Sequence, residues 1–240
     1  ERVYQYLRVY SLYQQRIPED HLSVSSPSAL LDSIGDPYTS YYDGDFLLLE
    51  PQARAYQGST FIDWDSLAPS VARITIGYFG YDSYRRFRTA VEAVRPFEHI
   101  IVDLRANPGG DLEVLDSILE DFVPDEVDTL DDETYILATY RYYDANQRTG
   151  ITVTNEAWYP DSPQHPDLAG KQFVVLQDSL SASAAEILIA AMKTVNGATL
   201  VGERTFGKGI GQIIVNRALY GRPDIRITYL HMEGATAAIG

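Results

Sequence analysis

The sequence predicts an α/β fold. Strand, helix, strand, turn and helix follow one another between residues 71 and 122, the alternation that builds a sheet covered by helices. His99–Leu104 and Gln172–Leu176 are short, nearly unbroken apolar runs, as expected of buried strands. The chain has 240 residues with 45% hydrophobic and 22% charged, enough to bury a core and unlike a disordered segment.

The elements follow in order. Val3, Tyr6, Leu7, Tyr10 and Tyr13 recur at steps of three and four, which predicts an amphipathic helix over 3–15 that Pro18 ends. Ser26 before Pro27 reads as an N-cap with proline at the first helical position, and Gly35-Asp36-Pro37 breaks that second helix. Residues 43–69 carry scattered apolar residues and turn formers and read as irregular. Val71–Phe79 has strand composition. Residues 82–95 have helical spacing at Phe87, Val91 and Val94; 99–104 is a strand; Asn107-Pro108-Gly109-Gly110 is a turn; 112–122 is helical again. Segments 134–143 and 150–154 read as a hairpin through Asp144-Ala145-Asn146. A strand at 172–176, a helix at 184–194, and strands at 198–202, 213–215 and 225–229 complete the reading.

Composition excludes several functions. The net charge of −15 opposes binding to a phosphate backbone or an anionic membrane surface. With no cysteine there is no disulfide scaffold, thiol nucleophile or thiolate metal site. No run reaches the ~18 to 20 apolar residues of a membrane span. The chain opens on Glu1 without a basic-then-apolar leader, so a signal peptide is expected to be removed or never present.

Gly202-Glu203-Arg204-Thr205-Phe206-Gly207-Lys208-Gly209 has the G-x-x-x-x-G-K spacing of a phosphate loop. It lacks the following Ser or Thr and runs into a strand, not a helix, so nucleotide binding is not expected. Lys208 still needs an explanation, because Lys171, Lys193 and Lys208 are the only lysines beside 16 arginines. By base rate an exposed turn lysine is the expected reading, and the preference for arginine at basic positions in this chain weakens it. Lysine alone can become a neutral base when burial lowers its pKa. Ser183 is a matching proton donor. Ser183-x-x-Glu186 fits a capping box between a buried strand and an apolar helix. A serine there also stands at a helix N-terminus, where backbone N–H groups can stabilise an oxyanion. None of His21, His99, His165 and His231 lies in a serine-centred motif, and there is no H-E-x-x-H or close His pair for a metal.

Four ordered segments resemble the carboxyl-terminal processing or tail-specific proteases, the Ser-Lys peptidases of family S41. They are Asp36-Pro37-Tyr38-Thr39-Ser40-Tyr41, Asp103-Leu104-Arg105-Ala106-Asn107-Pro108-Gly109-Gly110, Ser181-Ala182-Ser183-Ala184-Ala185-Glu186, and Val201 to Gly209 followed by Gln212. The resemblance implies a crotonase-like or Clp-protease-like spiral core with a small N-terminal helical region. It implies Ser183 as nucleophile, Lys208 as general base and Gln212 as the residue orienting the lysine. The oxyanion hole falls on the N–H groups of Ala184 and of Gly109 or Gly110. No cofactor or metal is implied. Ala185 stands where the family usually has a second serine, at a position that is not the nucleophile.

The implied organisation is an N-terminal helical region over 1–42, a linker over 43–70 and a peptidase core over 71–240. Family members usually carry a PDZ domain at the linker. Only about 30 residues separate Tyr41 from Val71, too few for that module, so a member without it, or a missing segment, is expected. The chain also stops at Ala237-Ala238-Ile239-Gly240, short of the usual family tail. The implied function is serine endopeptidase activity on proteins or peptides, near C-termini or in unfolded chains, outside the cytoplasm. A homo-oligomer or an activating partner fits the resemblance; nucleic acid and membrane insertion do not. Two rivals stay open. One is a silent or gated relative that binds a peptide or small hydrophobic ligand. The other is an acyl-transfer enzyme of crotonase-like fold, which would need a basic pocket that this acidic chain does not favour.

Overall fold

A computed structural model of the chain describes residues 2–11, 13–20, 23–42, 61–80, 82–122, 138–143, 153–158, 167–215 and 224–234. The order is α1 (Arg2–Tyr10), a 3-10 turn (Gln14–Arg16), α2 (Pro27–Ile34), β1 (Ser40–Tyr42), β2 (Ile62–Ala68), β3 (Val71–Ile76), α3 (Ser83–Val94), β4 (His99–Asp103), α4 (Leu112–Leu119), β5 (Ala138–Tyr143), β6 (Val153–Trp158), β7 (Gln172–Gln177), α5 (Ala184–Asn196), β8 (Thr199–Gly202), β9 (Ile210–Val215) and β10 (Asp224–Gly234). The chain divides into two compact units. One comprises Glu1–Arg54, Tyr140–Glu156 and Ile210–Met232; the other comprises Ala55–Thr139, Ala157–Gly209 and Glu233–Gly240.

The larger unit is built on the sheet β2-β3-β4-β7-β8. Strands β3, β4, β7 and β8 are parallel, and their order in the sheet follows the chain. Each crossover therefore steps the same way. With the usual right-handed connection the helices fall on one face, and α3 packs on α4 and α4 on α5. This is the spiral of β-α units that the sequence resemblance implies, in an α/β fold. The core is where the apolar periodicities meet: Ile74, Ile76, Phe87, Val91, Val94, Val102, Leu115, Ile118 and Val175 are fully buried. Phe122 fills the gap between Phe87 and Phe173, with ring centroids 5.5 Å from each.

Two expectations are corrected in this unit. Residues 43–69 read as irregular, yet Ile62–Ala68 is β2, an antiparallel partner of β3. Only Ile62 of this strand is buried, so no alternation betrays it. It is held by pairing and by Arg73, whose guanidinium grips Asp65, directly opposite in the register, through two bonds of 2.9 and 3.1 Å. The strand expected over 71–79 stops at Ile76; Phe79 makes an isolated bridge to Gly110 instead.

The smaller unit joins α1 and α2 to the sheet β1-β10-β5-β6, in which β9 also pairs with β10. Val3, Leu7, Ile17, Leu30 and Ile34 form its core, with Tyr4, Tyr6, Tyr13 and Tyr41 packed around them. α2 forms as its caps dictate: the Ser26 hydroxyl accepts from the Ala29 N–H at 3.1 Å, and Gly35 closes the helix at φ 63°. α1 ends at Tyr10, five residues before the expected position. The Ser11 hydroxyl takes the Tyr13 N–H, and the Gln14 carboxamide donates to the carbonyls of Leu7 and Arg8. Side chains thus replace the next helical turn. β5 and β6 are neighbours, as the expected hairpin requires, but the second strand runs over 153–158 and not 150–154. The connection at 144–152 and the stretch 43–60 lie outside the described residues.

Candidate active site

Ligand sites in parallel sheets lie beyond the carboxyl ends of the strands. Two loops of the larger unit meet there, residues 104–111 after β4 and 178–183 after β7, and the two strands are direct neighbours. Two polar side chains and one backbone carbonyl tie the loops together. Asn107, fully buried, donates from Nδ2 to the Ile76 carbonyl at 2.8 Å and accepts the Gly109 N–H on Oδ1 at 2.8 Å. Its own carbonyl accepts the Ala182 N–H at 2.9 Å. Asp178 accepts from the N–H groups of Ala106, Leu180 and Ser181. The buried Ser181 hydroxyl donates to the Leu104 carbonyl at 2.8 Å and accepts the Asp178 N–H at 3.0 Å. At the start of the first loop Arg105 binds Asp103 through two bonds. Burial alone would raise the Asp103 pKa, but the side-chain and backbone bonds from Arg105 outweigh it and hold that carboxyl below its ordinary range.

Ser183 sits at the apex of the second loop with φ 58° and ψ −122°, a conformation that non-glycine residues rarely adopt. The helix α5 begins at the next residue, so the serine occupies a sharp strand-to-helix turn at a helix N-terminus. The glycine loop presses against this turn. A Cβ placed on Gly109 would lie 2.8 Å from the Ala182 oxygen and the Ser183 Cβ, and 3.0 Å from the Ala184 nitrogen. One on Gly110 would lie 2.2 Å from the Phe79 oxygen. Both positions also have positive φ, so glycine is required twice over. Gly109 gives its N–H to Asn107, whereas among the described residues those of Gly110 and Ala184 meet no acceptor.

Glu186 unites the serine with the lysine. Its carboxylate is 2% exposed and accepts four donors. The N–H groups of Ser183 and Lys208 meet at Oε2, at 2.7 and 2.9 Å. The Thr205 hydroxyl and the Gly207 N–H meet at Oε1, both at 2.7 Å. The backbones of Ser183 and Lys208 are therefore anchored to one oxygen atom. The same bonds dispose of the phosphate-loop spacing: its N–H groups point at a carboxylate, where a phosphate would be repelled. Of the other lysines, Lys171 caps the end of α3 through the carbonyls of Arg95 and Phe97, and Lys193 is exposed on α5.

Gln212 lies on β9 in the smaller unit, where its Nε2 donates to the Tyr38 carbonyl at 2.6 Å. His99 opens β4, at the opposite end of the sheet from the Ser183 turn. Among the described residues no cluster of three His, Asp or Glu side chains could hold a metal ion. Sequence reasoning treated Glu186 as a helix cap and gave Asn107, Asp178 and Ser181 no separate role. Their partners lie up to 77 residues away; Asn107 and Ser181 stand in the recognised motifs, whereas Asp178 lies three residues ahead of one.

Peptidase family S41 matches residues 70–230, two thirds of the chain and all of both loops. The chain belongs to this family. The carboxy-terminal processing protease CtpB of Bacillus subtilis is 32% identical over 145 residues, covering 60% of this chain but 26% of that protein. The family member described here thus spans about a quarter of that curated relative. Among solved structures, the photosystem II D1 C-terminal processing protease matches with a TM-score of 0.51 and 19% identity, over 75% of this chain and 45% of that one. A lipoprotein from Streptococcus agalactiae matches with a TM-score of 0.64 and 13% identity, over 97% and 83%. At these identities the structures speak for the fold alone. No helix among the described residues is long and apolar enough to cross a membrane.

Proposed function

We propose that this S41 chain hydrolyses peptide bonds of unfolded or C-terminal protein segments through a Ser183–Lys208 dyad. The observation that carries the reading is the buried Glu186 carboxylate, which holds the strained Ser183 turn and the Lys208 loop on one atom. Neutral Lys208 accepts the Ser183 proton as Oγ attacks the scissile carbonyl. The oxyanion is met by the N–H groups of Ala184 and Gly110; the Gly109 N–H already serves Asn107, so Gly109 acts by permitting the close approach. Losing one such donor costs about 2.7–4 kcal/mol of barrier. The tetrahedral intermediate then expels the amine, which takes the proton back from Lys208, and water hydrolyses the acyl ester. Gln212 is assigned to orienting the lysine, and the site of action to the extracytoplasmic space, by the family resemblance.

The test is digestion of an unfolded protein followed by mass spectrometry, with Ser183→Ala and Lys208→Ala run beside the wild type. New peptides from wild type alone are expected. Cleavage surviving in Ser183→Ala would refute the nucleophile. Silence from all three would favour the silent or gated ligand-binding relative.

A further inference from the structure

Two apolar side chains beside the Ser183 turn are exposed, although the backbone that carries them is firmly held. Leu180 is 55% exposed and Phe206 52%. The Phe206 N–H donates to the carbonyl of Ser181, the residue after Leu180, at 2.9 Å, so the two residues flank one hydrogen bond. Thr205 and Gly207, on either side of Phe206, both donate to Glu186 Oε1 at 2.7 Å. Leu180 and Ser181 donate their N–H groups to Asp178 Oδ1 at 3.0 and 3.1 Å, and the buried Ser181 hydroxyl bonds the Leu104 carbonyl. Neither segment can swing its apolar side chain out of water without breaking these bonds. A single exposed apolar residue is ordinary; two that flank one bond form a patch. Of the other large apolar side chains exposed on this unit, Val201 lies on β8, which leads into the same segment. Phe61, Trp64 and Leu67 lie on or beside β2, at the far edge of the sheet.

We propose that Leu180 and Phe206 determine which bonds are cut, by receiving one bulky apolar side chain of the substrate within about three residues of the scissile bond. The range follows from chain geometry. Leu180 stands three residues before Ser183, so the two are at most about 10 Å apart, and three residues of an extended substrate span the same distance. A peptide whose carbonyl reaches Ser183 therefore passes the patch. The chemistry follows from the side chains. Leu180 and Phe206 offer no polar partner, so a charged substrate residue placed on them would lose water without replacement. Exposed Glu203 and Arg204, just ahead of Phe206, give the patch a charged rim. An aromatic surface on backbone already fixed gains contact area at little cost in ordering. The proposal rests on the reading of Ser183 as the nucleophile.

The test maps the cuts made in unfolded casein by the wild type, Leu180→Ala, Phe206→Ala and Phe206→Leu. Two peptides taken from the map, one with leucine and one with serine at the selected position, then give kcat/KM. Binding is read without turnover by fluorescence anisotropy on Ser183→Ala, with and without Phe206→Ala. Its probes are labelled serine-glycine octapeptides carrying one leucine at each position in turn. Wild-type cuts should share Val, Leu, Ile, Met or Phe at one fixed position within about three residues of the bond. Leu180→Ala and Phe206→Ala should each lower the leucine-to-serine ratio of kcat/KM on the order of 10-fold, chiefly through KM, and Phe206→Leu by less. Both side chains are exposed, so the urea midpoints should stay in place. A cut map without such a position, an equal loss on both peptides, or an unchanged ratio overturns the proposal. So does a Phe206→Ala chain that changes only in losing self-association, which would make the patch an interface between copies. If the wild type cuts nothing, the nucleophile reading fails and binding decides. A leucine preference abolished by Phe206→Ala then upholds the patch as a peptide site, and equal binding of all the octapeptides overturns it.

Discussion

Replacing Glu186 by glutamine changes one heavy atom and should uncouple the site. The carboxylate serves four donors, and three of them are backbone N–H groups that cannot turn away. In the better orientation the new amide nitrogen takes the Oε1 place. Thr205 can then accept from it, but the Gly207 N–H faces another donor. Gly207 is exposed and its bond only partly buried, so orphaning this donor costs toward the low end of about 1–3 kcal/mol. The bonds from Ser183 and Lys208 also fall from charge-assisted strength to that of a neutral pair, losing about 1 kcal/mol each. Burying an amide in place of a charge returns part of this. The net loss is therefore about 1–3 kcal/mol for Glu186→Gln, and about 3–5 kcal/mol for Glu186→Ala, which strands all three N–H groups. Urea unfolding of the full chain measures it. A domain of ordinary stability stays folded after the smaller loss, so cleavage by Glu186→Gln reports on the site itself. It should fall on the order of 10²-fold, because the serine and the lysine no longer share an anchor. An unchanged unfolding midpoint together with wild-type cleavage would refute the anchoring role.

Three further outcomes are expected. Gly109→Ala pushes a methyl against Ser183 and Ala182, so cleavage should fall by on the order of 10²-fold or more while the chain still folds, as checked by circular dichroism and peptide turnover. Gly110→Ala meets the Phe79 backbone and should cost more stability than Gly109→Ala, read from paired urea melts. Asp121 is fully buried, and burial pushes its pKa up to about 7 against the opposing pull of Arg88. The folded chain then keeps a proton that the unfolded chain releases near pH 4, so this group's stabilisation is full below that pH. It is lost as the pH rises to about 7, by up to about 1.4 kcal/mol per unit. Asp121→Asn should flatten this slope and be the more stable form relative to wild type at pH 8 than at pH 5; an identical pH dependence in both would refute it.

What could be read in advance was whatever the chain writes locally. The caps of α2 are local, the Ser26 side chain at one end and the left-handed Gly35 backbone at the other, and they formed as Ser26, Pro27 and Gly35 dictate. The buried parallel strands needed only their apolar runs. α1 was overrun because its periodicity continues through Tyr13, while the bonds that stop it come from Ser11 and Gln14 side chains competing for the same backbone. β2 left no periodic trace because an edge strand with one buried residue has no inner face to alternate. Its signals were the Pro69-Ser70 turn and the Asp65–Arg73 pair across it.

The site divides along the same line. Ser183 and Lys208 could be singled out by chemistry, since a helix-start serine and a rare lysine between glycines are local facts. What makes them one site is not local. Glu186 reaches residues 19 to 22 positions on, the Ser181 hydroxyl and the Asn107 carbonyl stitch the two loops, and the Asn107 side chain reaches back to the end of β3. A capping-box glutamate looks the same in sequence whether it closes its own helix or also carries a second loop. Only the packing of the 203–209 segment over the start of α5 separates these cases. The motifs of an S41 chain therefore record a network of backbone anchors as much as a set of reacting atoms. That is why Glu186, which touches no substrate in the proposed mechanism, should be among the residues least tolerant of change.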